Sequence, residues 1–211
     1  MGALIGCQDP SFLAKPRKQF HDLADAEDSL DLAAAFGLVA DPWQEGIVTA
    51  ALARGAAGEL VSRIVAVSVP RQNGKNGAIE ILELGQMVLL GRRILHTAHE
   101  VKTGRKAFLR LLEFFESQPA LGQMVKQIRR VNGQEAIFLT NGASCEFIAR
   151  SKSSGRGFSV DTLVMDEAQE LSEEGLAALL PTVPASSEPQ QIVAGTPPAP
   201  TDAHGEVFRR L

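Results

Sequence analysis

The sequence predicts an α/β fold with a mostly parallel central sheet, helices on both of its faces and an added antiparallel hairpin. Three observations predict it. Short apolar runs of strand length recur at 64–69, 93–98, 161–166 and 191–196. Segments of helix length separate most of them, and strands that alternate with helices favour parallel pairing through right-handed crossovers. Asn141-Gly142 lies between two further apolar runs, 136–139 and 143–149, which is a strong hairpin signal. The antiparallel strand or two that it adds is expected at an edge of the sheet.

The elements follow in order. Residues 1–20 carry Pro10, Pro16 and a Lys15/Arg17/Lys18 cluster, and read as an irregular arm. Residues 21–36 set Leu23, Leu30, Leu32 and Phe36 among acids, with Gly37 as a C-terminal stop, so a helix is expected. Asp41-Pro42 reads as an N-cap with proline at the first helical position, opening a helix to about residue 53. The strand 64–69 leads through a loop at 70–74 into a helix over 75–90. The strand 93–98 precedes a helix near 101–117. The strand 161–166 precedes a helix near 172–180, and 191–196 is the last strand. Residues 201–211 begin something helical.

The bulk properties bound the possibilities. The chain has 211 residues, 45% hydrophobic and 22% charged, an ordinary globular composition that fits one α/β core. No apolar run approaches the roughly 20 residues of a membrane helix, and no signal-peptide pattern is present, so no membrane partner is expected. Cys7 and Cys145 have no metal-ligand spacing, which fits a reducing compartment. The net charge of −4 is unevenly spread. Residues 91–157 hold twelve Lys/Arg against five Glu, between acidic flanks. Such a middle makes either a polyanion-facing surface or solvated helix faces.

The strongest chemical signal is Pro70-Arg71-Gln72-Asn73-Gly74-Lys75-Asn76, directly after Ile64-Val65-Ala66-Val67-Ser68-Val69. A strand that ends in a glycine-lysine turn and opens a helix aims backbone N–H groups and the positive helix end at phosphates, and the lysine adds a point charge at the β/γ oxygens. The full pattern G-x-x-x-x-G-K-[ST] is not met: Val69 replaces the first glycine and Asn76 the hydroxyl. A Ser/Thr hydroxyl ordinarily ligates Mg²⁺ there. Either the Asn76 amide oxygen takes that place or a water does. Arg71 is an extra cation, suited either to the γ-phosphate or to an ion pair with an acid such as Glu167.

Thr162-Leu163-Val164-Met165-Asp166-Glu167 is the second signal. Both acids leave a buried strand at its C-terminal end, the edge where open α/β sheets bind ligands. Asp166 suits a Mg²⁺ ligand and Glu167 a base for the attacking water. The alternative is a pair of helix N-terminal acids, a position that carboxylates favour.

With both motifs in view, the chain from 41 to 198 resembles the N-terminal ATPase domain of tailed-phage terminase large subunits, the DNA-packaging motor family. That family tolerates loss of the first glycine and carries an arginine before Gly-Lys. Asp166-Glu167, extended by Ala168-Gln169, matches its Walker B pair. Pro42-Trp43-Gln44 resembles its adenine-recognition segment, Gly195-Thr196-Pro197 its coupling motif, and Thr97-Ala98-His99 a helicase-like segment. His96 and His99 are assigned no catalytic role. Arg156, eleven residues before Glu167 and flanked by Gly155 and Gly157, resembles the arginine that terminase subunits insert into a neighbour's site; Arg150 is the competing candidate.

The resemblance implies a P-loop NTPase fold of the ASCE/RecA-like type. It implies ATP and Mg²⁺ as ligands, and Trp43, Gln44, Pro70, Arg71, Gln72, Asn73, Gly74, Lys75 and Asn76 at the nucleotide. Asp166 and Asn76 are expected at the metal, and Glu167, Lys75, Arg71, Arg156 and Thr196 in catalysis and coupling. Implied partners are double-stranded DNA, the portal protein, the small terminase subunit and further copies in a ring of five, in the host cytoplasm and docked transiently on the procapsid. Residues 1–40 are expected to form an arm and helix on the core and 41–211 the ATPase domain. No C-terminal nuclease domain, and hence no DNA cleavage, is expected of this chain. Two rivals remain: another helicase or DNA-repair ATPase of the same class, and a nucleotide-binding assembly module without turnover.

Overall fold

The parallel sheet is built from apolar runs too short for helices, and its order follows from which run each crossover returns to. The computed structural model describes residues 9–14, 16, 18–151, 155, 157–198 and 205–210. Arg156 lies outside them. The elements are α1 (Ala24–Ala35), α2 (Pro42–Leu52), β1 (Ile64–Ser68), α3 (Lys75–Val88), β2 (Arg93–Ala98), α4 (Val101–Ser117), the single turn α5 (Pro119–Gly122), β3 (Val125–Arg129), β4 (Ala136–Leu139), β5 (Ser144–Ala149), β6 (Thr162–Met165), α6 (Glu173–Leu179), β7 (Gln190–Gly195) and α7 (Glu206–Arg210). Asp41 caps α2 reciprocally with Gln44, with proline at the first position.

One sheet of seven strands runs in the order β1-β7-β6-β2-β5-β4-β3. The first five of these strands are parallel neighbours, and β4 and β3 complete the sheet in antiparallel sense. The last strand of the chain, β7, is inserted between β1 and β6. This brings the residues that follow β1, β7 and β6 to one rim.

Two expectations are corrected. Neither strand of the Asn-Gly hairpin is at the edge: β4 lies between β3 and β5, and β5 is parallel to β2, with Ile94 opposite Cys145 and His96 opposite Phe147. Cys145 and Phe147 are fully buried, so an exposed edge position would waste their apolar area. The edge on the antiparallel side is β3, a strand the sequence does not announce. Its Val-Lys-Gln-Ile-Arg is polar and half exposed, and its register shifts between Val125 and Gln127. Charged side chains and a bulge are how edge strands avoid further pairing, and they also erase the apolar signal.

Side chains alternate across the sheet and feed two cores. Val65, Val67, Ile94, Val164, Ile192 and Ala194 meet α1 to α4 on one face. Leu95, Leu163, Met165 and Val193 meet α6 and α7 on the other. The helix α1 packs closely on α3, where a Cβ at Gly85 would lie 2.1 Å from Ser29 Oγ. Among the described residues, no helix is long and apolar enough to cross a membrane.

Candidate active site

The loop after β1 is shaped by two left-handed residues, Gln72 at φ 64° and Gly74 at φ 78°. Gly74 is the N-cap of α3, and Lys75 is that helix's first residue. A glycine is needed at 74 twice over: L side chains are strained at this φ, and a Cβ would meet Gln44 Nε2 at 3.0 Å. Gln44 is buried, accepts from Asp41 N at 2.7 Å and donates to the Gly74 carbonyl at 2.7 Å. Its amide thus ties the start of α2 to the end of the loop. Trp43 is half-buried and packs against the α1–α4 core. Pro70, Arg71, Gln72 and Asn73 are exposed. Among the described residues Arg71 forms no ion pair, so the expected alternative of a bridge to Glu167 is absent. Asn76 is the second residue of α3, half-buried.

The acids meet this loop. Lys75 Nζ donates to Asp166 Oδ1, joining residues that are 91 positions apart. The same oxygen accepts from Glu167 N at 2.7 Å. Asp166 is 2% exposed. Burial alone would raise its carboxyl, but the Lys75 charge, His96 and the hydrogen bonds from Lys75 and Glu167 N outweigh it and hold the group below its ordinary value. Glu167 adopts a left-handed conformation, φ 51° and ψ 46°, which is uncommon for a residue with a side chain. The turn re-aims its carboxylate: Oε1 accepts from Thr103 Oγ1 at 3.3 Å, in the first turn of α4, while Oε2 is buried without a partner among the described residues.

Thr196 follows β7 on the same rim, next to the loop after β1: Ser68 lies opposite Gly195, and Val69 N donates to the Gly195 carbonyl at 3.1 Å. Thr196 N in turn donates to Gln169 Oε1 at 3.0 Å. The 3-10 turn Ala168–Glu170 after the acid pair is therefore bonded directly to the end of β7.

Arg150, weighed from the sequence as a projecting arginine, points inward. Its NH1 donates to the carbonyls of Thr97 (3.1 Å) and Asp166, and its NH2 to that of Glu167 (2.9 Å). Burial pushes its guanidinium down to about 10 against the pull of Asp166, Glu167 and Glu170, so it stays charged at neutral pH. His96 is buried, with Nδ1 2.5 Å from Glu83 Oε1 and its ring 5.1 Å from that of Phe147, whereas His99 is exposed. Sequence reading missed Thr103 and the inward role of Arg150; neither belongs to a local pattern, since each meets the acid pair only through the fold.

The residues fit a magnesium nucleotide better than a bare metal. Among the described residues, no three His, Cys, Asp or Glu groups converge as a metal cage. One or two carboxylates completed by substrate phosphates is the ordinary magnesium arrangement. The 14-residue α3, with Lys75 at its start, supplies positive potential for those phosphates. The buried Glu167 Oε2, without a partner among the described residues, suits a donor such as water.

No protein-family model and no curated protein matches the chain. Among solved structures, it is similar to the large terminase of bacteriophage HK97, with TM-score 0.68 and 19% identity over 81% of this chain and 37% of that one. It is also similar to the large terminase ATPase domain of Thermus phage P74-26, with TM-score 0.54 and 19% identity over 65% of this chain and 61% of that one. This chain thus spans under two thirds of the length of either. At such identities the likeness is one of fold. The shared fold is a mostly parallel α/β sheet with β7 inserted between the loop strand β1 and the acidic strand β6. Large terminase ATPase domains have that fold.

Proposed function

We propose that this chain is the ATPase domain of a phage large terminase, hydrolysing ATP to drive double-stranded DNA into a procapsid. The observation that carries the reading is the convergence of Lys75, Asp166 and Glu167 on one rim, beside Thr196. Lys75 leaves Asp166 to bind the β/γ-phosphates, and Arg71, exposed and unpaired among the described residues, reaches the γ-phosphate. Asp166, with Asn76 or a water, would hold Mg²⁺, which when bound would neutralise charge developing on the phosphates. Glu167 orients and deprotonates the attacking water through Oε2, while Thr103 fixes Oε1. Trp43 packs at the base, and Gln44 holds the loop in place. Thr196 transmits phosphate release to β7 through its bond with Gln169.

Hydrolysis in a ring follows from assigning Arg156 as the arginine received by a neighbour, which rests on its position before Glu167. Portal, small subunit and four further copies complete the proposed motor. For DNA, the exposed Lys102, Arg105 and Lys106 cluster on the first turns of α4, and among the described residues none of the three pairs with an acid. Arg93, Arg110, Arg129 and Arg130 are each paired with an acid.

Phosphate release by wild type and Glu167→Gln tests the enzyme. A positioned base contributes about 10²–10⁴-fold, so the variant should lose at least a hundredfold in kcat. Equal rates in the two would leave only a nucleotide-binding module.

A further inference from the structure

We propose that Arg150 is a positioning residue that acts within its own subunit, clamping the turn that carries Glu167, and is not the arginine lent to a neighbour. The inference rests on the ATPase reading above and deepens it. Arg150 directly follows β5, and its own N–H donates to the Ala98 carbonyl at 2.9 Å at the end of β2. Its guanidinium then crosses the rim. It reaches the Thr97 carbonyl on β2, which also accepts from Asp166 N at 2.9 Å, and then the carbonyls of Asp166 and Glu167 beyond β6. Three neighbouring strands, β5, β2 and β6, are thereby tied at the point where the acid pair leaves the sheet.

The clamp answers a local need. Asp166 is almost wholly buried, so its carbonyl requires a donor from within the protein. Glu167 is left-handed, a conformation that persists only where its surroundings impose it. A planar guanidinium offers several N–H groups in fixed directions and can serve three carbonyls at once; a lysine ammonium is a point donor on a flexible stem. An arginine finger has to project its guanidinium to a neighbour, whereas these donors are committed to carbonyls of their own chain.

The test compares wild type, Arg150→Lys and Arg150→Met. ATP turnover is measured over a range of protein concentrations, together with amide exchange of the 166–170 turn and of the 70–76 loop. Small misplacement of a reacting group can cost 10²-fold. We expect kcat to fall about tenfold in Arg150→Lys and about 100-fold in Arg150→Met. KM for ATP should stay within about threefold, and the loss should be equal at every protein concentration. Exchange in 166–170 should accelerate while 70–76 is unchanged. A raised KM with unchanged kcat, a defect seen only where subunits associate, or unchanged exchange at 166–170 would overturn the clamp. If wild type shows no hydrolysis, the ATPase reading fails by itself, and the exchange comparison still decides whether Arg150 holds the turn. Arg150→Lys keeps the charge, so the test survives even if Arg150→Met fails to fold.

Discussion

Asp166→Asn isolates the charge that the lysine of the loop meets in the folded chain. The substitution keeps the shape and an acceptor for Glu167 N, and removes only the negative charge opposite Lys75. The side chains of the pair are 16% and 3% exposed. Breaking a fully buried pair costs about 3–5 kcal/mol. Lys75 retains some contact with water, and the Asn oxygen still accepts from it as a neutral partner, so about 2 kcal/mol is the expected loss at pH 7.

The pH dependence has a definite sign. The folded-state pKa of Asp166 lies below its unfolded value of 3.8, so the stabilisation is fully present above about that pH and disappears as pH falls through the folded value. Urea denaturation of both proteins from pH 7 down to the acid limit of the fold reads the difference. The gap should be constant from pH 7 to about 5 and close below about 4. A gap that is absent at pH 7, or that stays full at the lowest pH, would refute the ion pair as the source of the effect.

Two further outcomes follow from the geometry. A Cβ at Gly77 would lie 2.9 Å from Gln44 Nε2, and Gln44 is pinned at both ends of its amide; Gly77→Ala should therefore destabilise by about 1–3 kcal/mol in thermal or urea unfolding. The same change in a Gln44→Ala background should cost much less, and an equal cost would remove the clash as its cause. Replacing Lys102, Arg105 and Lys106 together with Ala should weaken duplex DNA binding in fluorescence anisotropy and reduce the slope of log K against log salt by about 2–3. An unchanged slope would move the DNA surface elsewhere.

Buried strands and the two acidic or glycine-lysine turns that end them were legible because burial demands apolar runs and the turns break them abruptly. The order of the interior strands was less so. Nothing local in Ser144–Ala149 says that it pairs with β2 in parallel as well as with β4 in antiparallel sense. The edge strand β3 was hidden by the polar residues that suit an edge. In the site, Lys75, Asp166 and Glu167 stood out by type and spacing, whereas Arg150 and Thr103 did not. Arg150 serves backbone carbonyls, which every residue has, and Thr103 meets Glu167 across 64 positions. Charge count alone did not separate a polyanion-facing surface from solvated faces in 91–157, where Arg110, Arg129 and Arg130 pair with Glu80, Glu146 and Glu116.

The proposed function requires that Lys75 and Asp166 face one magnesium nucleotide. Its most direct measurement is the affinity for ATP with and without Mg²⁺, by calorimetry on wild type and Asp166→Asn. Wild type should bind ATP at least about tenfold more tightly with Mg²⁺, and Asp166→Asn should bind ATP with little dependence on the metal. An equal metal dependence in both proteins, or no ATP binding by wild type, would contradict it.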